Sequence, residues 1–351
     1  MRSDRAGHLV LGACVVLLGS AGLAAPPTGH YHLIKKIPLG AAPGGREYFD
    51  YITVDSDARR VYLSHGTEVK VVDADSGAPV GTIGGLKRCH GVVLVKDVGK
   101  GFITDGDAAK VFVFDIASLK VTGEIKSEPD TDSIFYDPAS KRVFTFNGDS
   151  KNSTVIDPAA GTVISTLPLG GAPEQAVVDG QGMIYDNLED TNEVIALDSR
   201  TLTIKARWPV APAGAPVAIT MDRKTRRLFI GGRNPKMIVM MDADTGKIVG
   251  DPFPIGDRVD SNVFDAGTDL VASATRDGTL HIFHLDSPAR LSLVETVKTE
   301  FGAKTMGLDS KTHNLYLTTA DFNPPAAPTD KQPHPQPTPI PGTFRLLIYG
   351  R

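Results

Sequence analysis

Short apolar runs, each closed by an Asp and a small polar turn, recur along the chain with a period of about 42 residues. Residues 51–83 read YITVD-SDARR-VYLS-HGTE-VKVVD-ADSG-APVGTI. Residues 133–167 read SIFYD-PASKR-VFTF-NGDSKN-STVID-PAAG-TVISTL, and residues 218–250 read AITMD-RKTRR-LFIG-GRNPKM-IVMMD-ADTG-KIVG. Each copy holds four runs of strand length separated by turn residues, and no stretch carries a sustained helical period. Seven such copies predict an all-β chain, a seven-bladed β-propeller of four-stranded antiparallel blades.

Two anchors mark the register. The first-strand anchor falls at Asp55, Val95, Asp137, Asp179, Asp222, Asp265 and Asp309. The third-strand anchor falls at Asp73, Asp115, Asp157, Asp198, Asp242 and Asp286. An Asp at a strand end accepts backbone N–H groups two residues on and fixes the turn, so these positions read as structural. Copies two and six are the most eroded, and copy two carries Val95-Lys96 where the others place the turn Asp.

The seventh copy runs KTMGLD-SKTHN-LYLTTAD from Lys304, detours through residues 323–342, and ends TFRLLIYGR without a fourth strand. The segment HLIKKIPLG at 32–40 has the look of the fourth strand STLPLGG at 165–171. Residues about 31–38 are therefore predicted to complete the last blade, which would leave no free edge there. The insert NPPAAPTDKQPHPQPTPIPG is proline-rich, favours extended backbone, and reads as a surface loop or as a strap over the central opening.

Composition narrows the setting. Arg2 and Arg5, the mostly apolar stretch from His8 to Leu18, and small residues up to Ala25 read as a secretory signal peptide over residues 1–24. Its apolar run is short of the roughly 20 residues that span a bilayer, so no transmembrane anchor is expected. The LGAC at 11–14 resembles a lipoprotein box, but the apolar run continues past Cys14, which makes lipidation the lesser reading. Residues 25–351 then form one domain, periplasmic or secreted, with Cys89 as its single thiol and no internal disulfide. The 37 Lys and Arg against 41 Asp and Glu, without a basic block, give no support to a nucleic-acid partner.

Motif chemistry is sparse. The chain has no Cys-x-x-Cys-His, no nucleophile elbow, no His-Glu-x-x-His and no phosphate or dinucleotide loop. Asp73-Ala-Asp-Ser-Gly and Asp242-Ala-Asp-Thr-Gly resemble half a calcium loop, but they lack the distal Glu and repeat at one turn. The stronger signal is positional. Five residues before the first-strand anchors stand Asp50, His90, Asp132, Glu174, Val217, Asp260 and Lys304, where inner strands would open on one channel mouth. Six of these seven are ionisable, against about a quarter in average usage. His65, Asp105, Asn147, Asn187, Arg233, Arg276 and Asp321 form a second tier from the loops after the second strands. Arg46, Glu47 and Arg88 lie just ahead of the inner strands. Asp132 and Glu174 offer two hard oxygen ligands for a divalent cation such as Ca²⁺, with His90 as a candidate base beside them.

The Asp-x-x-(Ser/Thr) and Asp-x-x-(Ser/Thr)-Gly turns, with Val61-YLS, Phe102-ITD, Val143-FTF, Leu228-FIG and Leu315-YLT, resemble the repeats of the YVTN/YncE-like seven-bladed propeller proteins. The resemblance spans the chain after residue 24 and is specific for fold, although the name-giving tetrapeptide is degenerate. It implies an exported binding propeller with a ligand or partner at the channel mouth. Related propellers include lactonases, a streptogramin lyase and haem d1-associated proteins. A metal-assisted hydrolase or lyase, and an accessory of haem d1 or a redox chain with His90 and His65 as axial ligands, therefore stand as alternatives.

Overall fold

The computed structural model describes Met1 and residues 29–45, 47–329 and 335–351. The expectations for residues 1–24, Met1 apart, and for Arg46 fall outside the described residues. Within them the chain forms seven four-stranded antiparallel sheets and one two-stranded ribbon. The inner strands are Ile52–Asp55, Cys89–Val95, Thr131–Asp137, Pro173–Val178, Pro216–Asp222, Val259–Asp265 and Met306–Leu308. Each touches the inner strand of the next blade, and the last touches the first, so the ring is closed. Hydroxyls tie neighbouring inner strands together. Thr53 Oγ1 donates to Val92 O at 2.6 Å, Ser133 Oγ to Glu174 O at 2.6 Å, and Thr305 Oγ1 to Asp50 O at 2.8 Å.

The core is distributed between the blades. Tyr62, Val69 and Ile83 of the first blade pack on Cys89, Ile103 and Phe114 of the second. The seventh and first blades meet through Tyr316, Leu346, Ile348, Val61 and Leu63. Each fully buried side chain of this size contributes about 1.5–3 kcal/mol, repeated around the ring. Cys89 is buried and free, its thiol pushed up to about 12 by burial.

Closure follows the expected route. His32–Gly40 pairs antiparallel with Phe344–Gly350, with His32 opposite Gly350 and Gly40 opposite Phe344. The last blade thus takes its outer strand from the N-terminal side of the chain. Phe344–Gly350 in turn pairs with Leu315–Thr319, and the proline-rich insert leaves between these two strands. Its two ends form the ribbon Phe322–Asn323 with Thr338–Pro339.

The anchor carboxylates make the turns. Asp55 accepts the N–H of Asp57 at 3.1 Å, Asp179 that of Gln181 at 2.7 Å, and Asp222 that of Lys224 at 2.9 Å. On third strands Asp73 accepts Ser76 N–H at 2.8 Å and Asp242 accepts Thr245 N–H at 2.9 Å. The eroded copies find substitutes. After Val95 a single 3-10 turn, Lys96–Val98, ends on Gly99 with φ +66°. In the sixth blade Asp286 binds His284 Nδ1 at 2.7 Å instead of a turn amide.

Candidate functional site at the channel mouth

Inner strands begin at the mouth and end at their anchor Asp on the opposite face, so residues five before an anchor meet at one level. Asp50, His90 and Asp132 come together there. His90 Nδ1 lies 2.8 Å from Asp50 Oδ2 and 2.8 Å from Asp132 Oδ1. Tyr48, two residues before Asp50, donates its hydroxyl to Asp50 Oδ2 at 2.7 Å and sits 2.9 Å from His90 Nδ1. Arg88 lies over the Tyr48 ring at 4.7 Å. The donor atoms of Asp50, His90 and Asp132 fall within 4.8 Å of one another, a spacing that one metal ion could bridge.

Lys304 links this group to the other side of the ring. Its Nζ is ion-paired to Asp260 and stands 4.0 Å from Asp50 Oδ1. Arg233 pairs with the second oxygen of Asp260, reaches Glu189 at 3.3 Å, and donates to Val259 O at 3.1 Å. Five of the six ionisable positions of the first tier are thus joined by direct contacts. Glu174, the sixth, is near enough to feel Asp132, Arg233 and Asp260 through their charges.

Electrostatics divides the ring. Burial disfavours the His90 imidazolium, but Asp132 and Asp50 outweigh it and push its pKa up to about 10. Burial works against the Asp50 carboxylate too, yet Lys304, His90 and Tyr48 hold it well below the usual range. Asp132 and Glu174 go the other way. Burial raises both, and Glu174 also faces Asp132 without a contacting cation, so its pKa stands well above an ordinary glutamate's. The blade one to four side of the mouth can therefore take up a proton or a cation.

The opposite side carries excess positive charge. A cavity of about 430 Å³ is walled by Arg233, Arg258, Arg276 and Lys304, with Glu189 and Asp257. Asp257 is engaged by Lys236 at 2.8 Å and Glu189 by Arg233. Among the described residues the Arg276 side chain donates to uncharged acceptors, Gln336 Oε1 at 3.4 Å and Pro337 O at 3.3 Å. Burial and the repulsion of Arg258 and Arg233 lower its pKa. Beneath the ring a smaller, mostly apolar cavity of about 300 Å³ runs down the channel past Tyr51, Val92, Ile134 and Met306.

The second tier separates by register. Arg233 and Arg276 lie one residue beyond the last pairs, Pro216 with Gly232 and Val259 with Thr275, and reach the mouth. Asn147 pairs with Thr131 inside its sheet, and its amide is spent on Asn152 at 2.7 Å and Thr154 at 3.1 Å. Asn187 is fully buried, on the Tyr185 side of its strand. The Asn147 amide is thus engaged within its own blade, whereas the Asn187 amide is buried with neither its oxygen nor its nitrogen hydrogen-bonded among the described residues. Asp105 caps its loop by accepting Lys87 N–H at 2.6 Å. His65 is buried, 2.6 Å from Glu47 and stacked on Phe344 at 3.9 Å. Asp321 pairs with Arg345 at 2.9 Å. Of the expected cation pair, Asp132 belongs to the donor group with Asp50 and His90, and Glu174 stands within range of its charge.

Sequence reasoning missed Tyr48 and Arg258. Both stand two residues before first-tier positions, at Asp50 and Asp260, on the approaches to the inner strands, where Arg258 turns through φ +55°. A second reading of the register, two residues upstream, was the available signal.

No family model matches the chain, and no curated protein matches it in sequence. Solved structures do. A chain of a mitotic checkpoint complex shares 16% identity at a TM-score of 0.71, covering 98% of this chain and 99% of that one. Hydrazine synthase of Kuenenia stuttgartiensis shares 13% at a TM-score of 0.68, covering 76% and 91%. At such identities the likeness speaks for the fold. The protein is a seven-bladed β-propeller.

Proposed function

We propose that the protein is an exported binding propeller of the YVTN/YncE type whose channel mouth takes a small anionic ligand. One observation carries this reading. Arg258 and Arg276 have no carboxylate partner among the described residues, and they repel each other in a cavity that also holds Arg233 and Lys304. Like charges gathered in a partly desolvated pocket are unfavourable unless an anion completes them. Export rests on the charged start and apolar run of residues 1–24. Protein from a periplasmic fraction should begin near Ala25, and a lipid on Cys14 would refute that.

Calorimetric titration with phosphate, citrate and acetate tests the binding reading. At least one should bind, and Arg258→Gln with Arg276→Gln should weaken it by roughly tenfold or more, since charged hydrogen bonds contribute about 1.5–3 kcal/mol each. Equal binding by the double variant would sink it.

A metal-assisted hydrolase or lyase is the second reading, favoured by the Asp50, His90 and Asp132 donor set. An imidazole beside two carboxylates suits a transition metal better than Ca²⁺, and binding must displace the His90 proton. Zn²⁺ or Mn²⁺ uptake that is lost in Asp132→Ala with Glu174→Ala would support it; unchanged uptake would not. The haem reading asks for an accessible imidazole, and His65 and His90 are both buried and ion-paired.

A further inference from the structure

The proline-rich insert does more than leave the last blade and return. Phe322 packs on Phe301 at 5.0 Å between ring centroids and on Phe49 at 6.3 Å. Gly302 permits this approach, because a Cβ there would sit 2.4 Å from the Phe322 ring. On the returning limb Pro337 and Gln336 accept hydrogen bonds from Arg276. A second cavity, of about 250 Å³, lies under this arch. Tyr48, Phe49, Phe322, Pro337 and Pro339 supply its apolar wall. Glu47, engaged by His65 at 2.6 Å, lines it together with Arg276 and Lys304, and these two cations also line the cationic cavity. Two compartments of opposite character therefore meet at the same two cations. The Arg276 guanidinium stands 5.7 Å from the Phe301 ring and 5.9 Å from the Phe322 ring, at the seam between them.

We propose that the two cavities form one bipartite site for an amphipathic organic anion, with its charged head against Arg258, Arg276 and Lys304 and an aryl or short alkyl body beneath Phe322 and the two prolines. This rests on the anion reading above and names the ligand class for the same site. A bare inorganic anion satisfies the guanidinium groups but leaves the apolar compartment to water. A neutral aromatic fills that compartment but leaves the cations uncompensated. A carboxylate on a ring or short chain meets both demands. Burying one ring contributes about 1.5–3 kcal/mol, roughly tenfold or more in affinity over the truncated anion. The 250 Å³ compartment limits the body to about a single ring.

The test is calorimetric titration of the full chain with phenylacetate, acetate and 2-phenylethanol, on the native protein and on Phe322→Ala and Phe322→Leu. Phenylacetate should bind roughly tenfold or more tightly than acetate, and 2-phenylethanol should not compete. Phe322→Ala should shrink the phenylacetate-to-acetate ratio to about threefold or less, with Phe322→Leu between the two. The ratio is taken within each variant, so a general loss of folded protein cancels. If acetate matches phenylacetate, or Phe322→Ala keeps the full ratio, the bipartite site is overturned while the anion site survives. If 2-phenylethanol binds as well as phenylacetate, charge plays no part and both readings fall. Both also fall if no anion binds.

Discussion

At the scale of single residues, the first-strand anchors hold the ring as well as their turns. Asp309 of the last blade accepts Arg59 of the first at 2.7 Å, and Arg226 of the fifth blade reaches Asp179 of the fourth at 3.2 Å. His313 of the seventh reaches Asp265 of the sixth at 2.7 Å, and Lys96 of the second reaches Asp55 of the first at 2.7 Å. Burial opposes the Asp309 carboxylate, but Thr312, Ser56 and Arg59 lower its pKa to about 2. A depressed folded pKa stabilises the fold above the ordinary carboxylate range, and that share is lost as pH falls from about 4 through about 2. Arg59→Ala should therefore cost about 2 kcal/mol at neutral pH. Its deficit should shrink as pH approaches 2. Urea unfolding at pH 7 and pH 2.5 reads both values, and an equal deficit at the two would refute the pairing argument.

At the scale of elements, the outer strand His32–Gly40 is what the ring needs to close. Ile37 and Leu39 pack on the seam between the seventh and first blades. Removing residues 29–40 should expose Phe344–Gly350 as an edge strand, lower the thermal midpoint by roughly 10 °C or more, and promote self-association. Scanning calorimetry with light scattering checks this; an unchanged midpoint would mean that the clasp is dispensable. The strand pattern was readable in advance because apolar runs of blade length recur with fixed turns, and because a missing seventh fourth strand demanded a donor. The departures were not readable. Val95-Lys96 showed that a turn Asp was lost, but not that a 3-10 turn with a left-handed Gly99 replaces it. In blade six the last two strands lengthen to Thr279–Ser287 and Arg290–Lys298, which no single residue announces.

At the scale of the whole molecule, the ring turns a sequence register into a place. Asp50, His90, Asp132, Asp260 and Lys304 are far apart in the chain, yet equal distance from an anchor set them in contact. The same arithmetic did not separate Arg233 and Arg276, one residue beyond the last pair with the inner strand, from Asn147, which lies inside such a pair and spends its amide within the blade. It also could not show the division of charge across the mouth, because that depends on which blades are neighbours and on where the insert's prolines come to rest.

The direction of the closing strand has a practical result. Phe344–Gly350 runs away from the mouth, and His32 lies beside Gly350. Tyr31 donates to His313 O at 3.0 Å, in a turn on the far face. Gly29 and Arg351 therefore both lie on the side remote from the cavities. A protein attached through Arg351 to a bead or a sensor chip would present its opening outward, unobstructed by its own handle.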